Sequence, residues 1–361
     1  MPHLSDRDEA SSAAPGGPIS KKLRVLVANT HDPYFNLATE DWIYKDMDLQ
    51  SKVLFVWRNA NTIVIGRGQN AWSECDLELV KADGVQIARR HSGGGAVFQD
   101  LGNTCFTFMS AREPGVNPRE LYARNNQILI GALARLGVPA EASGRNDLVV
   151  RLGEEIFKIS GSAFKESPDR CFHHGTMLLN VDLSRLGRYL TPNQKKLQAK
   201  GIKSVQSRVM NLVDLVPGLD HDAFAAALIA EFFSYYGSEC AIEELDHQTL
   251  ARIPALDRYY ETLRSWDWVF GKTPSFLHKL DHRFSFGMVE ICLNTERGHM
   301  RDVKLYSDSL DPEFIERVAE QLEGHPYTPE GVRQTAQEHL AGDPSRAAMV
   351  EEFYSWLETQ L

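Results

Sequence analysis

From Ala88 to Phe108 the chain reads ARRHSGGGAVFQDLGNTCFTF, with Gly93, Gly94 and Gly95 set between a pair of arginines and an apolar strand. Without Cβ atoms, such a loop can turn successive N–H groups toward one anion and let a flat or bulky ligand approach the backbone. Arg90 and Ser92 add a fixed cation and a hydroxyl beside that cradle. No Lys-Ser or Lys-Thr follows at the spacing of a nucleotide P-loop, so the cradle is of another kind. A plain hairpin loop is the competing reading. A second glycine loop, Gly66-Arg67-Gly68-Gln69-Asn70-Ala71, fits the dinucleotide pattern GxGxxA, with Arg89 and Arg90 about 20 residues on, where a 2′-phosphate reader would sit. Its preceding strand reads as the second arm of a hairpin, which favours a simple turn over an NADP site.

Lys158 lies inside the apolar strand EEIFKIS, alternating with Ile156 and Ser160 on one face. A lysine half-buried there calls for an anion, unless it snorkels to water from a sheet edge. Asn146-Asp147, in SGRNDLVV, offers oxygen ligands suited to Mg²⁺, or simply an Asx turn before a strand. His173 and His174 adjoin on a strand and so point to opposite faces; one can meet a ligand while the other packs. Between Lys195 and Arg208 the chain carries five basic and no acidic residues, either a solvated loop or a clamp on phosphates or an acidic partner.

The elements that must position these groups follow from the pattern. Asp32-Pro33 supplies an N-cap and first-turn proline for a helix to about Asp46, and further helices fall near 118–136 and 220–236. KVLFVW and NTIVIG read as a hairpin across Arg58-Asn59-Ala60-Asn61, and short strands continue at VQIA, AVF, CFTFM, DLVV, EIFKIS and GTMLLNV. Strands outnumber helices and are joined by short turns, which predicts an α+β fold with a largely antiparallel sheet. Past the aromatic stretch RYYETLRSWDWVFGKTP comes a strand pair, HRFSFGMVEICLN and MRDVKLYSD, then helices near 311–323, 328–340 and 344–360. The division expected is a disordered lead over 1–22, a catalytic domain over 23–256, a linker over 257–273 and an accessory domain over 274–361.

Composition narrows the class. The chain has 361 residues, 43% of them hydrophobic, enough for a large core divided between two domains. A net charge of -10 argues against general nucleic-acid affinity. There is no membrane-spanning run and no signal or transit pattern, which predicts a cytoplasmic address. Five cysteines without a CxxC pair read as reduced, mostly buried thiols.

Taken together, RRHSGGGAVFQDLGNTCFTF, SGRNDLVV, FKISGSAFK and FHHGTMLLNVDLSRL, in this order and spacing, closely resemble bacterial lipoate-protein ligase A. The likeness runs from about Leu23 to the C-terminus and includes SWDWVFGKTPSF. It implies a biotin-ligase-like catalytic domain, related to class II synthetases, with a mixed, largely antiparallel sheet and a small α+β accessory domain. It also implies an enzyme that activates lipoate with ATP and Mg²⁺ as lipoyl-AMP, then acylates a lysine of apo lipoyl domains in 2-oxoacid dehydrogenase E2 subunits and of the glycine-cleavage H protein. No tightly bound prosthetic group, nucleic acid or membrane belongs to that chemistry. By the same resemblance Lys158 is the catalytic lysine. Arg90, Ser92, Gly93, Gly94, Gly95, Ala96, Val97 and Phe98 contact lipoate and its adenylate, and Asn103 holds the adenine side. Trp57 lines the slot for the dithiolane tail, His174 lies near the adenylate, Asn146 and Asp147 are the candidate Mg²⁺ ligands, and the basic loop closes over the adenylate. Gln99 stands where relatives commonly have His, and Lys165 where a close relative has Arg. The complete accessory domain favours a full ligase over a transferase that uses preformed lipoyl-AMP; a non-catalytic carrier-binding module and an NADP oxidoreductase are the remaining alternatives.

Overall fold

A computed structural model of the protein describes residues 22–69, 71–113, 115–144, 146–190, 209–270, 278–296 and 298–361. The lead over 1–22, save Lys22, and the basic loop Lys195 to Arg208 lie outside these described residues. The chain order begins with β1 (Lys22–Ala28), α1 (Pro33–Asp46), β2 (Ser51–Trp57), β3 (Thr62–Ile65), α2 (Ala71–Glu74), α3 (Leu77–Ala82), β4 (Gln86–Arg89), β5 (Val97–Gln99) and β6 (Asn103–Ala111). It continues with α4 (Pro118–Arg135), β7 (Ala140–Ser143), β8 (Asp147–Leu152), β9 (Glu155–Glu166), β10 (Arg170–Leu178), α5 (Leu183–Tyr189), α6 (His221–Tyr236) and β11 (Ile242–Leu245). Then come α7 (Gln248–Arg252), α8 (Pro254–Leu263), α9 (Trp266–Val269), β12 (His278–Phe284), β13 (Gly287–Glu296), β14 (His299–Ser307), α10 (Pro312–Leu322), α11 (Pro329–Gly342) and α12 (Ala347–Glu358).

Eight strands form one mixed sheet in the order β11-β1-β2-β6-β10-β9-β8-β7. Only the β11-β1-β2 end is parallel; the rest is antiparallel, as the α+β expectation required. Every residue of β2 is buried because the sheet is covered on both faces. Leu54 and Val56 meet Ile128 and Leu129 of α4 and Phe224 and Leu228 of α6 in one core. Val53, Phe55 and Trp57 point the other way, into a second core with Phe35 and Ile43 of α1 and Leu256 of α8. Asp32 caps α1 through the Tyr34 N–H at 2.9 Å, and Asn117 caps α4 through the Arg119 N–H at 2.9 Å, each followed by proline.

Two sequence expectations are corrected. KVLFVW and NTIVIG are not a hairpin: β2 belongs to the large sheet, whereas β3 sits in a separate sheet of order β4-β3-β5. Within it β3 and β4 run parallel, joined by a crossover through α2 and α3. Local strand propensity cannot tell an adjacent partner from one reached by a crossover. HRFSFGMVEICLN is likewise two strands, β12 and β13, with the chain turning at Ser285-Phe286, so the C-terminal sheet has three strands. That sheet and α10 to α12 share their own core, with Val289, Ile291, Phe314, Val318 and Phe353 at its centre. The stretch 257–273 is helical where described, and α8 packs along α1.

Candidate active site

The two glycine loops cross. A Cβ on Gly66 would stand 2.2 Å from the Gly94 carbonyl oxygen, so only glycine permits the crossing, and the Arg67 N–H donates to the Ser92 carbonyl at 3.0 Å. Both arginines brace this knot. Arg89 donates to the Gly66, Arg67 and Gln69 carbonyls and, across α9, to the carbonyls of Trp268 and Val269. Arg90 donates to the carbonyls of Val64 at 3.0 Å, Gly93 at 2.8 Å and Gly95 at 2.8 Å, and to Ser92 Oγ at 3.1 Å. Burial brings both guanidinium groups down to about 10, still charged at neutral pH. Both stand beside the cradle as fixed cations, with carbonyl oxygens of the crossing loops taking their donors. What a dinucleotide phosphate would have to meet at Gly66 to Gln69 is occupied by the chain itself.

The triple glycine has three separate reasons. Gly93 is covered by the turn after β14, where a Cβ would stand 2.2 Å from the Ser309 carbonyl oxygen and 2.9 Å from Leu310 backbone. Gly94 has φ +93°, in the region that favours glycine, and its N–H donates to the Ser309 carbonyl at 2.8 Å. Gly95 has no atom within 4 Å of a built Cβ, and with Ala96 and Val97 it is half-exposed, while Phe98 turns inward against Tyr189. The C-terminal unit also donates the Ser307 N–H to the Gly68 carbonyl, and its Glu316 pairs with Arg67.

Behind the loop runs a buried polar chain. Trp57 Nε1 donates to Thr107 Oγ1 at 3.1 Å, and Thr107 donates to Glu40 Oε1. His174 Nδ1 lies 2.9 Å from the same oxygen, and its Nε2 lies 2.6 Å from Ser92 Oγ, which takes the Arg90 donor. Every partner is satisfied if Nδ1–H donates to an ionised Glu40 and Ser92 donates to Nε2. His174 is therefore joined to Trp57, on the face of the α1 core. Leu37, Tyr44, Phe172 and Lys165 complete a cavity of about 10 Å³ there, the size of one water. Lys165 Nζ sits 4.5 Å over the Tyr44 ring, and burial lowers its pKa. Gln99 is buried and accepts from Asn59 at 2.8 Å. His173 faces the opposite way, as expected of adjacent strand residues. It is fully buried, without a partner for either ring nitrogen, and encased by Phe106, Phe108, Tyr122 and Phe164. Burial pushes it down to about 3.

Lys158 owes its direction to a β-bulge. Leu148 pairs with Ser160 but Val149 pairs with Lys158, so Ile159 is an extra residue on β9. Ile159 and Ser160 both turn into the core, and Lys158 flips to the face of Gly161, Asp147 and His174 instead of sharing the Ser160 face. Its ammonium pairs with Asp147 Oδ1 at 2.7 Å and lies above Gly161, where a Cβ would crowd it at 3.0 Å. The Lys158 side chain is 38% exposed, so it is open to a ligand and not desolvated. Gly161 is two residues, about 7 Å along the strand, from Ala163, which faces His174. At the start of β6, paired with Leu178 of β10, Asn103 keeps a buried Oδ1 without a partner while its Nδ2 donates to the Phe98 carbonyl at 3.3 Å. Asn146 Nδ2 donates to the Ser162 carbonyl at 2.9 Å. No cluster of three or more His, Cys, Asp or Glu fit for a metal occurs among the described residues.

Comparison with known proteins decides the family. The model of the lipoyl protein ligase A/B catalytic domain matches residues 32–233, and that of the bacterial lipoate protein ligase C-terminus matches 273–357. The chain belongs to the lipoyl protein ligase family. P. falciparum LipL1, solved in complex with lipoate, is 32% identical over 91% of this chain and 100% of its own, with a TM-score of 0.76. The bipartite lipoate protein ligase of Thermoplasma acidophilum, studied with its E2 lipoyl domain, is 26% identical over 71% of this chain and 99% of its own, with a TM-score of 0.60. A lipoate-protein ligase A bound with ATP is 25% identical over 69% of this chain and 99% of its own, with a TM-score of 0.56.

Sequence reasoning missed several residues of the ligase. Glu40 and Thr107 sit in a helix and a strand whose periodicity marks them only as buried positions, and Glu40, 4% exposed, is legible solely as an acid on the core face of α1. The docking of Ser309 on Gly94 has no local signal at all. Asp147 was singled out as a metal ligand, and the structure adds its ion pair with Lys158.

Proposed function

We propose that this ligase activates lipoate with ATP and then transfers the lipoyl group to a lysine of apo lipoyl domains. A lipoate carboxylate oxygen attacks the α-phosphorus of ATP and pyrophosphate leaves; the ε-amine of the acceptor then attacks the carbonyl carbon of lipoyl-AMP, AMP leaves, and the amine nitrogen gives up its proton. The observation that carries the reading is the bulge that turns Lys158 onto the face shared with His174, whose Nε2 meets Ser92 of the glycine loop. A tail held near Trp57, Glu40 and His174 would bring its carboxylate along β9 to the Lys158 ammonium. There the positive charge opposes the charge growing on the carboxylate and α-phosphate in the first step and on the carbonyl oxygen in the second. The unpartnered Asn103 Oδ1 suits an exocyclic adenine amine.

Asn146 and Asp147 offer an amide oxygen and one carboxylate already paired with Lys158. That set fits Mg²⁺ held chiefly by the triphosphate, and the ion supplies charge neutralisation there when bound. LipL1 with lipoate, ligase A with ATP and the T. acidophilum ligase with its E2 lipoyl domain support the three substrates; the acceptors include the 2-oxoacid dehydrogenase E2 subunits and the glycine-cleavage H protein. Cysteines without a CxxC pair accord with a cytoplasmic site of action. The test is the intact mass of an apo lipoyl domain after incubation with the protein, lipoate, Mg²⁺ and ATP, beside a reaction given lipoyl-AMP. Mass gain in both is expected, with most turnover lost in a folded Lys158→Ala variant. Gain only with lipoyl-AMP would make the protein a transferase, and full activity in Lys158→Ala would remove the lysine from the mechanism.

A further inference from the structure

Helix α9, in the stretch that the sequence marks only as a linker, grips the strand leading into the glycine loop. Trp268 Nε1–H donates to the carbonyl of Arg89, the last residue of β4, at 2.9 Å. In return Arg89 Nε donates to the Trp268 carbonyl at 2.9 Å and Nη2 to the Val269 carbonyl at 2.6 Å. These are carbonyls that the end of a helix leaves without intrahelical partners. Two residues on from Arg89, the His91 ring packs against the Trp268 indole, with centroids 4.3 Å apart and planes inclined by 34°. His91 Nδ1 also lies 2.8 Å from Asp41 Oδ2 of α1. Burial lowers the His91 pKa although Asp41 raises it, so at neutral pH the ring is uncharged and its Nδ1–H donates to Asp41. His91 and Asp41 line the small cavity together with Glu40, Ser92 and His174. An indole from α9 and a carboxylate from α1 thus both hold one side chain of the cavity wall. Trp266, two residues earlier on the same helix, is 53% exposed.

We propose that Trp268 is a positioning residue for lipoate: it sets the His91 ring in the cavity wall and anchors the strand that enters the glycine loop. The inference rests on the placement of the acyl tail beside Glu40 and His174 given above. Its effect falls on lipoate and not on ATP, which that reading assigns to Lys158 and Asn103. The full chain is titrated calorimetrically with lipoate, and KM is measured for lipoate and for ATP with an apo lipoyl domain as acceptor. The proteins compared are wild type, Trp268→Ala, Trp268→Phe, His91→Ala, the double variant with His91→Ala and Trp268→Ala, and Trp266→Ala. Trp268→Phe keeps a ring on His91 and lacks the indole donor, so it carries the test if the alanine variant does not fold. Kd and KM for lipoate should rise about tenfold in Trp268→Ala and less in Trp268→Phe, while KM for ATP is unchanged. The double variant should be no worse for lipoate than the more damaging single one, because both substitutions break the same contact. Trp266→Ala should bind lipoate as wild type does. A folded Trp268→Ala with wild-type lipoate affinity overturns the proposal, as does wild-type affinity in Trp268→Phe where the alanine variant does not fold. Equal rises in KM for lipoate and ATP, or additive effects in the double variant, overturn it by leaving Trp268 a merely structural residue. If wild type itself binds no lipoate, the placement of the tail fails and this inference with it.

Discussion

Gly93→Ala and Gly95→Ala, two residues apart in the same loop, should act in opposite senses. A Cβ on Gly93 meets the Ser309 carbonyl oxygen at 2.2 Å and Leu310 backbone at 2.9 Å. Backbone cannot rotate out of the way, so the turn after β14 must lift. Lifting it breaks the Gly94 N–H bond to Ser309, 2.8 Å long, a loss of about 0.5–1.5 kcal/mol, on top of about 1–3 kcal/mol for the overlap itself. The sum is about 1.5–4.5 kcal/mol against docking of the C-terminal unit. At Gly95 a Cβ has nothing within 4 Å and the backbone lies outside the left-handed region, so alanine should stabilise by about 0.4–1 kcal/mol through the unfolded chain. If Gly95 is bare in order to admit lipoate, that variant should melt at or above wild type in scanning calorimetry while its KM for lipoate rises about tenfold, the cost of crowding one close contact at about 1.4 kcal/mol. Gly93→Ala should melt several degrees lower. A Gly95→Ala enzyme with unchanged KM would refute the ligand reading of the loop, and a Gly93→Ala protein as stable as wild type would refute the docking account.

Glu40→Gln should cost about 1–3 kcal/mol, because an amide oxygen that keeps the Oε1 place, where Thr107 and His174 both donate, turns its NH2 onto the His174 Nδ1–H at the Oε2 place, 3.1 Å away, and removes the negative charge; urea denaturation measures it, and the KM for lipoate should rise while that for ATP holds. His173 makes stability fall in acid. Its folded pKa of about 3 lies below the ordinary value of 6.5, so the unfolded chain binds the proton first, and stability present above pH 6.5 is lost progressively between pH 6.5 and 3. At pH 5 that loss is about 2 kcal/mol. His173→Phe, which keeps the aromatic packing, should lose about 2 kcal/mol less than wild type between pH 7.5 and 5; parallel pH profiles of the two proteins would show that His173 is not buried neutral.

Much of the fold was legible because it is written in local signals. Asp32-Pro33 marks one helix start, and the structure has α1, α4 and α6 within a residue of where that cap and the 3.6 period put them. Pairing was less legible. The order β2-β6 across the large sheet, with β3 leaving for another, depends on which apolar strand buries which face, and KVLFVW and TIVI carry equal claims to each other. Lys158 shows the limit most clearly. Strict alternation puts it beside Ser160, facing the core. One extra residue, Ile159, reverses it, and a bulge has no signature in a run such as EIFKIS, where every apolar residue fits either parity.

The arginines show a different limit. Residue type gives charge, and position beside three glycines gives a plausible anion site, yet Arg89 and Arg90 are committed to carbonyl oxygens of two loops that lie more than 20 residues apart in the chain. The glycines explain why. Bringing two loops close enough to cross requires residues without Cβ, and crossing points carbonyl oxygens inward where water cannot reach them. Two buried guanidinium groups supply the donors those oxygens need. Within the chain Arg90 holds the carbonyls of Gly93 and Gly95, and through Ser92 Oγ it holds His174. Arg90→Lys keeps the charge but has one nitrogen where the fork uses three. It should therefore loosen both the loop and the His174 ring, lowering thermal stability together with affinity for lipoate, measured by calorimetric titration. A variant that lost lipoate affinity with no change in melting temperature would instead place Arg90 directly on the ligand.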